Sequence, residues 1–236
     1  MFKKALFLLF FAVNILNISA QQYEIGIQVG GTKYIGDIGK EDYFYPSDIG
    51  GSLIFKNTIN PWMLMRLSFS YFPTSAYDNE SYNLGRQTRN WSFTNNIMEV
   101  SMGIEYNFIP RNPFLRGRKH NRFTPYMFTG MSLSNYFGKL YQNGNPDNAY
   151  EFNGIAMGIP MIVGFKYKLS EHWLFSSEIG ARYNFSDNLD GSQKYSEHID
   201  HYTIYPTTNR QSNDWYTFTS FGLIYTFGDL RCYFGF

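Results

Sequence analysis

A two-residue alternation of apolar and polar side chains restricts the possible folds of this chain more than any other feature. From residue 98 to residue 108 every even position is apolar and every odd position is polar or small, and residues 63–71 alternate in a similar way. Successive side chains of a β-strand point to opposite faces. The alternation therefore predicts strands with one apolar face, a pattern typical of both half-buried soluble sheets and membrane barrels.

Weaker alternation indicates further strands and brings their number to about eight. It covers residues 23–34, 48–59, 123–136, 155–167, 173–184 and 215–227. The chain has 20 Tyr and 23 Phe among 236 residues, and aromatic residues favour strands. After residue 20 no apolar run reaches the length of a transmembrane helix.

The lengths of the connections favour a membrane barrel over a soluble sheet. Long polar links follow alternate strands, at residues 35–47, 72–95, 137–154 and 185–214, while only residues 60–61 and 168–171 separate two other pairs. Outer-membrane barrels have short periplasmic turns, long external loops and periplasmic termini. The link 109–122 is the exception, because it is long for a periplasmic turn.

The N-terminus has the composition of a secretory signal peptide. Lys3 and Lys4 precede an apolar run at residues 5–18, and the small pair Ser19-Ala20 follows. A signal anchor is the alternative, but the run is shorter than a bilayer span. We therefore predict a signal peptide at 1–20, a barrel at 21–227 and a periplasmic C-terminal tail at 228–236.

The predicted fold class is all-β: a single transmembrane antiparallel β-barrel with long external loops. Such a barrel is integral to the outer membrane, in contact with its lipid, and has both termini in the periplasm. The formal charge of +1 gives no indication of nucleic-acid binding.

Charged residues on the polar faces of the strands are predicted to lie in the lumen. They are Arg66, Glu99, Glu105, Glu178 and Arg182. Small barrels fill their interior with side chains, and buried charges of opposite sign must pair. We expect salt-bridge clusters rather than an open channel; a polar path or a catalytic carboxylate is the alternative.

The last strand carries a pattern similar to the signal that barrel-assembly machinery reads. Ser220, Gly222, Tyr225 and Phe227 fit the order polar-x-Gly-x-x-aromatic-x-aromatic. Such a strand has to be recognised before closure, while its edge is still free. A chance match in an aromatic-rich strand is the alternative.

Three segments resemble the PorG family, small outer-membrane barrels of the type IX secretion system of Bacteroidetes. They are Gln21-Gln22-Tyr23-Glu24-Ile25-Gly26, Gly30-Gly31-Thr32-Lys33-Tyr34-Ile35-Gly36-Asp37 and Tyr225-Thr226-Phe227-Gly228-Asp229-Leu230-Arg231-Cys232. The resemblance implies an accessory role in secretion and gliding. In that role the barrel ties periplasmic ring components, a lipoprotein and its partner, to the outer membrane. The family has no catalytic residues to carry over.

Two other classes of function stay open. A generic structural or narrow-pore barrel of the OmpA kind would have similar strands, although we expect no peptidoglycan-binding domain within these residues. A barrel enzyme acting on lipid or peptide would need a histidine beside a nucleophile or carboxylates. Glu197, His198, Asp200 and His201 could bind a metal, but a solvated loop is the favoured interpretation. We expect no enzyme activity, cofactor or metal.

Two features are candidates for docking a periplasmic partner. The first is a run of basic residues without acidic neighbours, Arg111, Arg116, Arg118, Lys119 and Arg122. It would attract an anionic surface, or it is a solvated turn in contact with lipid phosphates.

The second candidate is the single cysteine, Cys232, which lies beside Tyr233 and Phe234 in the apolar tail. A lone cysteine cannot pair within its own chain. The hypothesis is that the tail docks on the ring lipoprotein and that Cys232 forms an intermolecular disulfide with it. Alternatively, the tail extends the barrel wall.

Overall fold

A computed structural model of the protein describes residues 22–36, 38–39, 45–110, 122–142, 149–186, 189 and 214–228. Eight strands make up most of this part of the chain. They are β1 (Tyr23–Ile35), β2 (Asp48–Thr58), β3 (Met63–Tyr77), β4 (Ser92–Asn107), β5 (Phe123–Tyr141), β6 (Ala149–Lys168), β7 (Trp173–Asn184) and β8 (Trp215–Phe227). Between β3 and β4 lie a short 3₁₀ helix, Asp78–Glu80, and a helix α1, Leu84–Arg89.

The eight strands form one closed antiparallel barrel. Each strand pairs with the next along the chain, and β8 closes the barrel against β1, from Tyr23 opposite Phe227 to Ile35 opposite Trp215. Closure leaves no unpaired edge along this seam. The predicted fold class is therefore confirmed.

The two ends of the barrel differ in their connections. The terminal end carries residues 22 and 228 together with tight turns, such as the one in which the Asn60 side chain accepts hydrogen bonds from the backbone N–H groups of Trp62 and Met63 at 2.9 and 2.8 Å. The loop end is the opposite end, where α1 and the links after β1, β3, β5 and β7 lie; the long link between β4 and β5 lies at the terminal end. In the described part of the chain, no helix has the length and apolar character needed to cross a membrane.

Four strands are longer at the loop end than the sequence predicts. The sequence predicts links at residues 72–77, 92–95, 137–141 and 149–154, but these residues continue β3, β4, β5 and β6. The assignment was wrong because the alternation reverses its polarity there. Phe72 and Phe93 point inward and are fully buried, whereas polar neighbours such as Thr94 point outward. A search of the sequence for apolar residues on the lipid-facing side of a strand therefore ends the strand where this reversal begins.

The outer wall has an apolar belt. Exposed apolar side chains recur on neighbouring strands, among them Ile27, Leu53, Phe69, Val100, Met102, Leu133, Met157, Val163 and Leu223. Aromatic pairs border the belt at both ends. Trp173 and Tyr225 pack edge to face at the terminal end, with ring centroids 5.1 Å apart, and Tyr183 and Trp215 do so at the loop end, 4.8 Å apart. An apolar band between aromatic girdles is the surface that a bilayer requires.

Candidate functional site: the filled interior

Six buried charged side chains occupy the terminal half of the barrel interior. The cations are Lys56, Arg66 and Lys166, and the carboxylates are Glu24, Glu105 and Glu178. Arg66 makes a two-pronged contact with Glu178, with its two terminal nitrogens 2.8 and 3.0 Å from the carboxylate oxygens. This geometry is the strongest that a guanidinium and a carboxylate adopt.

Glu105 is at the centre of this network. One of its oxygens lies 2.6 Å from Lys56 Nζ and 3.5 Å from Arg66, and its other oxygen contacts Lys166. Lys166 also lies 3.6 Å from Glu24. Three positive charges thus meet three negative charges. A buried network of this kind is tolerated only when its charges balance, because an unpaired buried charge is strongly destabilising.

Aromatic rings pack around the charged groups. Tyr126 donates a hydrogen bond to Glu178, and its ring lies 5.1 Å from Lys56 Nζ and 4.9 Å from Lys166 Nζ. The Arg66 guanidinium lies 4.7 Å from the ring centre of Phe128. These rings fill the space between the ion pairs and add cation–π attraction, which is larger where water is excluded.

A second ion pair lies nearer the loop end. Arg182 Nε is 3.7 Å from Glu99 Oε1, and Tyr216 donates a hydrogen bond to the same carboxylate. The Arg182 guanidinium also lies 4.8 Å from the ring centre of Phe72. This pair joins the charged terminal half to the apolar loop half.

The loop half of the interior is a packed apolar cluster. Its buried members include Tyr34, Phe72, Phe93, Ile97, Tyr136, Leu140, Phe152, Ala156, Tyr216 and Phe218. Tyr34 and Phe93 pack edge to face at 4.7 Å, and Phe72 and Phe218 are also 4.7 Å apart. The interior at this level is therefore built like the core of a soluble protein.

Two buried aspartates hold connecting segments over the loop end. Asp78 accepts hydrogen bonds from Gly39 N at 3.0 Å, Arg89 Nε at 2.7 Å and Trp91 N at 3.2 Å.

The second aspartate, Asp214, accepts from Tyr34 Oη at 2.6 Å and from Leu189 N at 2.8 Å. Leu189 and Ile38, which come from two different links, are 0% and 2% exposed and belong to the apolar cluster. The connections therefore add apolar side chains that cover the mouth.

All five predicted lumen residues lie inside the barrel, divided between two sites. Arg66, Glu105 and Glu178 belong to the six-membered network, and Glu99 and Arg182 form the second pair. The sequence reasoning missed Glu24, Lys56, Lys166 and the two tyrosines that bond to the carboxylates. Each of the three missed charges stands between outward-facing neighbours, so the same alternation rule could have found them.

The predicted assembly signal lies on the closing seam. Ser220 and Gly222 face inward, Tyr225 and Phe227 face outward, and all four pair with β1. In the closed barrel this edge is therefore occupied. A factor that reads it would have to act before β1 and β8 pair.

Most of the predicted docking residues lie outside the described residues. Arg122 is described: it is exposed at the terminal end, where its carbonyl accepts a hydrogen bond from Lys168 N at 2.7 Å. The other predictions fall outside the described residues: the predicted signal peptide, the basic residues Arg111, Arg116, Arg118 and Lys119, the metal candidates Glu197, His198, Asp200 and His201, and the docking candidates Cys232, Tyr233 and Phe234. Within the described ranges, no group of three or more His, Cys, Asp or Glu side chains could hold a metal ion.

The closed barrel, its apolar belt and its filled interior define a transmembrane β-barrel of the outer-membrane type. Its fold is similar to that of a major outer membrane protein from Thermus thermophilus, with a TM-score of 0.53 and 14% identity over 89% of this chain and 100% of that one. Ail, the attachment invasion locus protein of Yersinia pestis, aligns with a TM-score of 0.49 and 9% identity over 89% of this chain and 100% of its own.

The chain belongs to the family described as Domain of unknown function (DUF6089), whose model matches residues 3–235. No curated protein matches it in sequence. The family description names no activity, so the resemblance to the PorG family stays a prediction.

Proposed function

We propose that this protein is a non-enzymatic, integral outer-membrane barrel that acts through its outer surfaces rather than as a channel. The observation that carries this proposal is the filling of the interior over both of its halves. A neutral ion network occupies the terminal half, and an apolar cluster occupies the loop half. The apolar belt and the aromatic girdles support residence in a bilayer.

The two layers oppose conduction for different reasons. An ion crossing the terminal half would have to separate pairs such as Arg66 and Glu178, whose side chains are both 2% exposed. An ion crossing the loop half would lose its hydration among packed rings, and burying a bare charge is costly. A barrel with such an interior offers its wall, mouth and turns, rather than a pore, to other molecules.

Conductance across a planar bilayer tests the proposal. The purified full chain should insert without steady single-channel currents. The double variant Phe72→Ala, Phe218→Ala, which removes two packed rings from the cluster, should raise the frequency of openings. Steady currents from the unaltered protein would refute the closed-lumen proposal. Fractionation of cells should place the protein in the outer membrane, and its gel mobility should change on boiling.

A more specific function, an accessory role in type IX secretion and gliding, has one observation in its favour. The described parts of the segments that resemble the PorG family lie mainly on β1 and β8, which pair side by side at the seam. Tyr23 stacks on Phe227 at the terminal end, with ring centroids 5.7 Å apart. The first and last of these segments thus meet at the terminal end, which would face the periplasmic ring proteins if the termini are periplasmic, whereas residues 30–36 lie toward the loop end.

Co-purification tests this role. Reversal of Arg116, Arg118 and Lys119 to Glu should leave the mobility shift on boiling intact and reduce recovery of the ring lipoprotein and its partner. Unchanged recovery and secretion would exclude the basic run as the docking patch.

The disulfide hypothesis has a separate test. Non-reducing gels of intact cells should show a heavier species that contains the lipoprotein and disappears in Cys232→Ser. If the thiol of a monomeric chain is freely labelled, the disulfide is excluded.

A further inference from the structure

One side of the barrel rises above the rest at the loop end. The described pairing of β6 with β7 ends at Gly158 and Asn184, whereas β5 and β6 stay paired as far as Tyr141 and Ala149. Strand β4 follows β5 to the same height, with Ser92 opposite Tyr141. Strand β3 reaches this height as well, with Tyr77 opposite Ser92, so the upper parts of β3, β4, β5 and β6 form a projecting wall whose inner face covers the apolar cluster.

The outer face of this projecting wall changes character row by row. The strand register places residues side by side in three rows, Met98–Asn135–Ile155, then Asn96–Phe137–Asn153, then Thr94–Lys139–Glu151. The first row is the edge of the apolar belt, where Met98 and Ile155 are well exposed. The next two rows, with Tyr141, line a groove of about 680 Å³. This volume is in the range of small-molecule sites.

The side chains of the groove combine an aromatic ring with neutral hydrogen-bonding groups. Phe137 is 42% exposed and lies between Asn96 and Asn153. The Asn96 amide oxygen accepts a hydrogen bond from Tyr71 Oη at 2.6 Å. The amide nitrogen of Asn96 provides two N–H donors for a ligand.

The charges of the groove cancel. Lys139 Nζ lies 2.9 Å from Glu151 Oε1, and both side chains are largely exposed. A groove in which the cation already has a carboxylate partner does not favour an anion such as phosphate. A ring for the C–H face of a pyranose, with amides and hydroxyls for its O–H groups, favours a neutral sugar.

We propose that this groove binds the saccharide of an outer-leaflet glycolipid. The inference rests on the proposed function, because it needs the loop end to lie outside the cell. The groove adjoins the lipid-facing belt without a break, so a molecule whose acyl chains lie against Ile155 and Met98 carries its headgroup to the rows of Phe137 and Lys139. A glycolipid is the outer-leaflet molecule that has a sugar at that height.

Binding to the detergent-purified full chain tests the inference, with purified lipopolysaccharide and its deacylated core oligosaccharide as probes in titration calorimetry. The double variant Phe137→Leu, Asn96→Ala should bind both probes about tenfold more weakly, because it loses the ring and the amide donors. The matched control Phe221→Leu, Thr219→Ala makes similar changes on the outer face of β8 and should bind as the unaltered protein does. Phe137→Tyr keeps the ring and should restore binding in the presence of Asn96. Unboiled gels verify that each variant is folded.

The outcomes distinguish recognition of a sugar from recognition of a phosphate. They also distinguish failure of this inference from failure of the proposed function. Lys139→Gln, Glu151→Gln should keep the affinity within about twofold. If binding is lost in that variant but kept in Phe137→Leu, Asn96→Ala, the protein recognises phosphate. That result would overturn the inference. Equal binding by all variants, in a protein that fractionates with the outer membrane, would overturn the inference alone. Oligosaccharide binding by a protein found in another membrane would overturn the proposed function instead.

Discussion

Glu105 is the carboxylate on which the charge balance of the terminal half depends. It contacts Lys56, Arg66 and Lys166, all buried. Glu105→Gln keeps the shape of the side chain and removes one negative charge, so three cations then face two carboxylates. Removing one partner from a buried ion pair costs about 3 to 5 kcal/mol. We expect the free energy of unfolding to fall by that amount.

A second substitution should restore much of the loss. Within the described residues Lys56 makes its ion pair with Glu105. In the double variant Lys56→Met, Glu105→Gln, Arg66 keeps Glu178 and Lys166 keeps Glu24. No charge is left over, so the double variant should be more stable than either single variant, by about 2 kcal/mol or more.

Equilibrium unfolding in urea, with the protein in lipid vesicles, measures these differences. Tryptophan fluorescence reports the transition, and the mobility of unboiled samples reports barrel closure. A double-mutant cycle then isolates the coupling. If the costs of the two substitutions simply add, or if Glu105→Gln unfolds at the urea concentration of the unaltered protein, charge balance is not what stabilises this half of the barrel.

Further predictions concern the lipid face, the strand spacing and the mouth. Met102 is 57% exposed on the outer face, so Met102→Arg should cost about 2 to 4 kcal/mol near the midplane while Met102→Leu leaves the urea midpoint unchanged; equal midpoints would contradict the lipid assignment. A Cβ at Gly103 would lie 2.1 Å from a backbone oxygen of β5, whereas at Gly51 the nearest atom is 3.5 Å away. Gly103→Ala should therefore reduce the folded yield on unboiled gels and Gly51→Ala should not, and similar yields would argue against the tight spacing. Asp78→Asn should speed proteolysis between residues 78 and 91, with Glu80→Gln as control, and unchanged cleavage would show that Asp78 does not hold this segment.

Alternation predicted the strands well where lipid lies outside and polar side chains lie inside. The predicted segments 173–184 and 215–227 match β7 and β8 in full. The same rule failed for the upper parts of β3 to β6, because the apolar side chains change faces there. Phe72 directly follows the outward-facing Tyr71, so an apolar residue occupies a position where the alternation predicts a polar one. The break in the alternation then indicates the start of a link.

The sequence predicted several of the charged residues that lie inside the barrel. It did not predict which of them form ion pairs. Arg66 and Glu105 lie on the polar faces of strands that alternate cleanly. Glu24 lies on a strand whose glycines weaken the alternation, although its neighbours Tyr23 and Ile25 still mark it as an inward-facing position. The contact of Arg66 with Glu178 joins residues 112 positions apart. Such a pairing depends on the register of every strand between them and on closure of the barrel, and no local pattern contains that information.

The reversal of polarity along the strands has a physical cause that connects the filled interior to the membrane. Within the belt the outer face is apolar, and an exported chain that was apolar on both faces would aggregate in water before insertion. The interior there takes polar and charged residues, which must then balance as Glu105 and its cations do. Above the belt the outer face meets water, so the inner face can form an apolar core, as Phe72 and Phe93 do. The row of Asn96 and Phe137, at which the two arrangements meet, thus marks the membrane boundary in the sequence itself.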